Sequence, residues 1–155
     1  MNINWKKLFI HLAIPLGVGG LAALLSGGMD SYGNLNQPPL SPPGWVFPIV
    51  WTILYLLMGY ASYRVYTSQA EPPAIRQALR FYGIQLLLNF LWPIAFFGFG
   101  WYWAAFLLLL ALWGLVYITM YLFGQVDDTA ESRLIPYLLW VTFAGYLNLG
   151  TALLY

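Results

Sequence analysis

Residues 101–123 read WYWAAFLLLLALWGLVYITMYLF, an apolar run without a single Asp, Glu, Lys or Arg. A bilayer's hydrocarbon core is about 30 Å thick, and about 20 apolar residues in a helix cross it. A charge-free run of this length makes lipid the solvent. In lipid each backbone N–H and C=O must be satisfied within its own segment, which selects a helix. Comparable runs occupy 8–25, 45–66, 79–99 and 134–155. They predict an all-α integral membrane protein, a single bundle of five transmembrane helices that takes up residues 1–155 as one domain.

Composition agrees. The chain is 61% hydrophobic and 7% charged, whereas a soluble domain carries about 25% charged residues. A net charge of +1 leaves no electrostatic footprint for nucleic acid. The absence of Cys removes disulfides, thiolate nucleophiles and Cys-based metal sites. One His rules out a multi-His metal site, so no metal ligands are assigned. No inverted repeat of the kind found in many secondary transporters is visible.

Positive charge sets the orientation. Lys6, Lys7, Arg64, Arg76, Arg80 and Arg133 all fall on one side of a five-span topology, and the other side holds only Asp30. The N-terminus is therefore expected in the cytoplasm and the C-terminus outside. A rival reading takes Lys6-Lys7 and the following run as a cleaved leader, but that run is long for the apolar region of a signal peptide. The connection 124–133, with Asp127, Asp128 and Glu131, reads as a solvated turn, and 67–78 as a short loop or partial helix. The connection 27–44 differs, carrying Pro38-Pro39 and Pro42-Pro43 with a single charge. Long irregular loops are commonly functional; with Tyr32, Leu35 and Leu40 to bury, this one reads as a lid.

No ionisable residue lies deep in any span, which weighs against a proton-coupled transporter and against carboxylate acid–base catalysis. His11 reads as interfacial. Amides stand in their place. Gln85 and Asn89 share a face of the third helix beside Trp92 and Pro93, and Trp140, Ala144 and Asn148 form a stripe on the fifth. Gln85 reads equally as interhelical glue or as a ligand contact, whereas Asn89 and Asn148 read as pocket residues.

The eight Trp divide by depth. Trp5, Trp45, Trp101 and Trp103 lie at span ends, where an interfacial belt explains them. Trp51, Trp92, Trp113 and Trp140 lie at least a turn inside. Trp51 falls about 9 Å below the outer end of its helix at 1.5 Å per residue, level with Asn148 and Trp92, with Asn89 and Trp113 nearer the midplane and Trp140 deeper. Flat aromatic walls with two amides beneath the proline-rich loop describe a site for a flat apolar ligand. Pro48, Pro93 and Pro136 are expected to open their helices locally around it.

The stretch Pro42-Pro43-Gly44-Trp45-Val46-Phe47-Pro48-Ile49-Val50-Trp51-Thr52-Ile53-Leu54-Tyr55, with Gly59 following, resembles the second helix of the TspO/MBR family. Gln85-Leu86-Leu87-Leu88-Asn89-Phe90-Leu91-Trp92 with Phe96-Phe97 resembles its third helix. Pro136-Tyr137-Leu138-Leu139-Trp140-Val141-Thr142-Phe143-Ala144 with Leu147-Asn148 resembles its fifth. The resemblance implies a five-helix bundle, often a homodimer, that binds porphyrins such as protoporphyrin IX and haem beneath the first loop, with no obligatory cofactor. Benzodiazepine-type ligands share that pocket, and animal members bind cholesterol. The family's pocket positions fall on Tyr32, Trp51, Asn89, Phe90, Trp140, Ala144 and Leu147; Trp92, Trp113 and Asn148 join them from the depth argument. In some bacterial members the Trp pair matching Trp51 and Trp140 is linked to light-dependent porphyrin breakdown, which makes these two the candidate catalytic residues. Likeness to bacterial members implies the inner membrane. Sterol binding is put in doubt because no basic residue follows Tyr146. A carrier moving tetrapyrroles, sterols or other lipophiles is the alternative function.

Overall fold

Asn4 opens the first helix: its side chain accepts a hydrogen bond from the Lys7 N–H at 3.1 Å, satisfying one of the unpaired donors at a helix start. The same residue's backbone N–H donates to the Tyr63 hydroxyl, far along the chain, at 2.8 Å. In this computed structural model, which describes residues 3–27 and 35–155, α1 spans Trp5–Leu25 and α2 spans Val46–Tyr66. Next come α3, Pro72–Pro93, a π turn at Ile94–Gly98, and α4, Tyr102–Val126. A short α5, Asp128–Arg133, leads into α6, Ile135–Leu153. The expected five long helices are present.

Among the described residues, α1, α2, α3 with its π turn, and α4 are long and apolar enough to cross a membrane. The 19-residue α6 has a similar length and carries no charged residue. Its Tyr137, Asn148 and Thr151 are buried inside the bundle, so the polarity faces protein rather than lipid.

Three local readings change. α3 begins at Pro72, not near residue 79, because Pro72 and Pro73 occupy its first turn, where a missing N–H costs no intrahelical bond. The connection 124–133 is more than a solvated turn. Asp127 caps α5 by accepting the Ala130 N–H at 3.0 Å, and Ala130 and Leu134 are fully buried. Of the three prolines expected to open helices, Pro48 and Pro136 sit harmlessly in first turns. Pro93 alone has the effect: beyond it the ladder widens, with Phe99 N–H bonding Ile94 O at 3.0 Å and Trp101 N–H bonding Ala95 O at 2.9 Å.

The helices pack as α2–α1–α3–α4–α6, with α5 tucked against α2 and α4. Neighbouring α2 and α6 do not close backbone to backbone, and aromatic side chains occupy the space between them. The tightest crossing is α1 on α2. A Cβ on Gly59 would lie 2.6 Å from the His11 carbonyl oxygen and 2.7 Å from the Leu12 Cα. Beside this crossing His11 Nδ1 lies 2.9 Å from Ser62 Oγ, which itself donates to the Gly59 carbonyl; the histidine is thus the donor. Ala13 and Gly17 sit on the outer side of α1, whereas Gly19 faces the Tyr55 ring.

The described part of the first loop lies over the end of α6. Pro38 packs on Gly150, the Tyr146 hydroxyl donates to the Pro39 carbonyl, and the Asn36 N–H donates to the Tyr155 hydroxyl at 3.0 Å. Leu35 packs into the core, but Leu40 is 85% exposed at a positive φ of 70° and anchors nothing. Tyr32 and Asp30 lie outside the described residues. At the opposite end Arg64 grips Asp127 through Nε–Oδ1 and Nη2–Oδ2 contacts, both 3.1 Å.

Two predictions follow from this packing. Gly59→Ala forces backbone apart rather than a flexible side chain, at a cost of about 1–3 kcal/mol; a lowered thermal midpoint in detergent is expected, and an unchanged one contradicts the tight crossing. Burial pushes the Asp127 carboxyl up, but hydrogen bonds from Arg64 and the Ala130 N–H outweigh it and hold it below its ordinary value. A carboxyl depressed in the folded state stabilises at neutral pH and loses that contribution as pH falls below about 4. Unfolding at pH 3 and pH 7 is expected to differ less in Asp127→Asn than in the native chain.

Candidate functional site

A buried amide in lipid must find every partner within the protein. Asn89 on α3 does so with two tyrosines. Its Oδ1 accepts from the Tyr55 hydroxyl at 2.7 Å, and its Nδ2 donates to the Tyr137 hydroxyl at 2.8 Å. The Tyr137 hydroxyl in turn donates to Gln85 Oε1 at 2.5 Å. One chain of bonds therefore ties α2, α3 and α6 at the bundle centre. Asn148 on α6, fully buried, accepts from the Trp92 indole N–H and donates to the Tyr102 carbonyl, both at 2.9 Å. These amides act first as ties that hold the aromatic side chains in place.

Two cavities border this framework. The larger, of about 280 Å³, lies in the fork between α1, α2 and α3, against Leu16, Gly19, Gly20, Ala22 and Ala23 of α1 and Trp51, Tyr55, Asn89 and Trp92 opposite. Gly20, Ala23 and Thr52 on its rim are exposed, so it opens sideways onto the bilayer. The smaller, of about 20 Å³, lies between α2, α3, α6 and the loop residues Gln37 and Ser41, and borders Trp140, Ala144, Leu147 and Asn148. Its volume holds roughly one water molecule. Phe47, Trp51, Trp92 and Phe97 line both.

Trp51 is the centre of the aromatic array. It stacks on Tyr55 with ring centroids 5.5 Å apart and meets Tyr137 and Trp140 edge-on at 6.2 and 6.5 Å. Phe47 meets Trp140 edge-on at 5.7 Å. None of the residues lining either cavity is charged. The Trp140 indole N–H is buried and has no partner among the described residues, leaving one donor beside the smaller cavity. The arrangement suits stacking of a flat apolar molecule and a single hydrogen bond; it has no group for acid–base work.

Most residues singled out in the sequence come together here: Trp51, Asn89, Trp92, Trp140, Ala144, Leu147 and Asn148. Two do not. Phe90 lines neither cavity. Trp113 lies at the right depth but on the wrong side of α4. That helix buries Ala105, Leu109, Leu112, Val116, Thr119 and Phe123, and Trp113 stands one residue, about 100°, around from that stripe. It is 40% exposed, stacks on Tyr117 and donates to Thr142 Oγ1 at 2.8 Å. Tyr55 and Tyr137 entered the sequence reading only within helix motifs, and the small pair Gly19/Ala23 of α1 reads there as a dimer face or as intra-bundle packing, not as cavity lining. A buried Asn demands donors and acceptors, which was the available signal for the tyrosines; nothing in the composition of α1 marked its inner side.

Asn148→Leu keeps a similar branched shape but strands the buried Trp92 N–H, at a cost of about 1–3 kcal/mol, and removes the tie to the Tyr102 carbonyl. A lowered unfolding midpoint with altered Trp emission is expected, and native-like unfolding contradicts the clamp.

Comparison with known proteins places this geometry. The TspO/MBR family model matches residues 11–154. A tryptophan-rich sensory protein of Cereibacter sphaeroides is 39% identical over 148 residues, covering 96% of this chain and 90% of that protein. A translocator protein homolog of Schizosaccharomyces pombe is 42% identical, covering 97% and 92%. The translocator protein of Ovis aries is 36% identical, covering 90% and 83%. With three helix motifs in order, a bundle of five long helices and a match over nearly its whole length, this integral membrane protein belongs to the TspO/MBR family.

Proposed function

We propose that the chain is a membrane-embedded receptor for porphyrins, such as protoporphyrin IX and haem, and for similar flat hydrophobic molecules, serving tetrapyrrole sensing, sequestration or light-dependent degradation. The observation that carries this reading is the position of Trp51. It borders both cavities and is stacked on Tyr55 with Trp140 edge-on beside it. Offset and edge-to-face aromatic contacts favour flat π ligands over globular ones. The uncharged surroundings favour a ligand whose core is apolar, and the unpartnered Trp140 N–H favours one acceptor on it. Membership of the family and the names of its relatives point the same way.

Chemistry at such a site needs no acid or base. A photoexcited porphyrin takes one electron from an adjacent indole, giving a porphyrin radical anion and a Trp radical cation. Trp51 and Trp140, with ring centroids 6.5 Å apart, are the pair that shares this oxidation. A carrier function is the second reading, favoured by the sideways opening between α1 and α2. A homodimer completes the proposed assembly, with Ala13 and Gly17 on the outer side of α1 open to a second copy.

Titrating protoporphyrin IX into the detergent-solubilised protein while following Trp fluorescence tests the receptor reading. Saturable quenching at micromolar ligand is expected. Trp51→Phe with Trp140→Phe is expected to weaken binding about tenfold or more, the equivalent of about 1.4 kcal/mol. Absence of quenching, or the same titration in the double variant, sinks it.

A further inference from the structure

An oxidised indole in the cavity has to recover its electron from somewhere, and the rings around Trp51 and Trp140 decide where. Tyrosine suits the task, because a phenol that gives up its proton together with an electron is easier to oxidise than an indole. The condition is the proton, which needs a base or water within hydrogen-bond reach. Two tyrosines touch Trp51, and neither meets that condition. Tyr55 is stacked on it at 5.5 Å and Tyr137 lies edge-on at 6.2 Å. The Tyr55 hydroxyl is committed to Asn89 Oδ1 and the Tyr137 hydroxyl to Gln85 Oε1. Amide oxygens accept hydrogen bonds but are far too weakly basic to take a phenol proton. Both tyrosines are buried, and the bilayer core supplies no water.

The other side of the pair differs. On α6 the rings of Trp140, Phe143 and Tyr146 follow one another at three-residue intervals, with centroids 5.5 and 6.2 Å apart. Each interval rises about 4.5 Å along the helix, so the row climbs from the cavity toward the end of α6 that the first loop covers. Tyr146 is 42% exposed, and its hydroxyl donates to the carbonyl of Pro39, itself an exposed loop residue. The phenol therefore ends at the outer membrane interface, where water reaches it. An interfacial belt accounts for a tyrosine at this level, but not for the row of rings that joins it to Trp140.

Resting on the porphyrin reading and its light-driven step, we infer that Tyr146 is the electron donor that restores the Trp51–Trp140 pair. The excited porphyrin takes one electron from the pair, leaving a porphyrin radical anion and an indole radical cation. The indole regains its electron from Tyr146 across the Phe143 ring, which is not itself oxidised. The Tyr146 O–H bond breaks, its proton passes to water at the outer interface, and a neutral phenoxyl radical remains. In sum one electron moves from the phenol to the porphyrin and one proton leaves on the outer side. Tyr146 lines neither cavity, so it acts through Trp140 and not on the ligand.

Electron paramagnetic resonance on freeze-trapped samples tests the relay. The detergent-solubilised protein is loaded with protoporphyrin IX and illuminated with methyl viologen present, which removes the extra electron from the porphyrin. Ring-deuterated tyrosine separates a phenoxyl signal from an indole one. The native chain is expected to give a phenoxyl radical. Tyr146→Phe is expected to lose that signal, to show an indole radical instead, and to accumulate more oxidised Trp51 and Trp140 by peptide mass spectrometry, with its protoporphyrin IX titration unchanged. Tyr155→Phe is the matched control, since it also removes an exposed hydroxyl bonded to the first loop, at the Asn36 N–H; it is expected to keep the phenoxyl signal. A phenoxyl signal that survives Tyr146→Phe or disappears in Tyr155→Phe, or an indole radical alone in the native chain, overturns the relay and leaves the receptor reading standing. A native chain that binds the porphyrin but forms no protein radical in light overturns the relay and the photo-oxidation, with binding intact. A native chain that never binds protoporphyrin IX overturns the porphyrin reading and the relay together.

Discussion

Asn89 is the group on which the arrangement depends. An amide buried in hydrocarbon, with no water to complete its bonds, must be matched by the protein, and Tyr55 and Tyr137 supply that match from two different helices. Interhelical hydrogen bonds in membranes are worth only about 0.6–2 kcal/mol each. The importance of this set lies in geometry more than in energy. It fixes α2, α3 and α6 at one level, and Trp51, one turn from Tyr55 on α2, inherits its position from that tie. Asn148 does the same for Trp92 from the other side. The aromatic surfaces of the site are oriented by these amides, and the Gln85 Nε2 is left without a partner among the described residues.

The second constraint is steric. Gly59 lets α1 meet α2 backbone to backbone at one end of the pair, and the cavity occupies the space left between them at the other. Small residues at a helix crossing are the usual device in membranes, where lipid provides no hydrophobic drive toward association. Here the same device creates both the contact and the opening. The bundle is thus closed at the end that carries Arg64 and Asp127 and divided by a fork at the end covered by Pro38.

How much was legible follows from these two constraints. The number and order of the long helices and the inward stripe of Trp140, Ala144 and Asn148 follow from hydropathy and from the 3.6-residue period, and they hold. Depth along a helix is likewise readable from counting residues, so Trp51, Asn89 and Trp92 come out near one another. The direction a residue faces is less secure. Trp113 shares that depth yet points outward, because on a helix apolar throughout no polar side marks the exterior. Pro72-Pro73 illustrates a different limit: two prolines that look like a break are a helix start. The fork between α1 and α2 was not legible because it is a property of two helices together, set by Gly19 against the Tyr55 ring and by Gly59 against the His11–Leu12 backbone.

The central claim is that one binding space, centred on Trp51, takes a flat macrocycle between the α1–α2 opening and Trp140. An experimental structure of the protein with bound protoporphyrin IX tests it most directly. The account predicts macrocycle density against the Trp51 face, reaching Ala144 and Trp140 beneath Pro38. Density confined to the outer surface of the bundle, beside Trp113 or elsewhere against lipid, contradicts it.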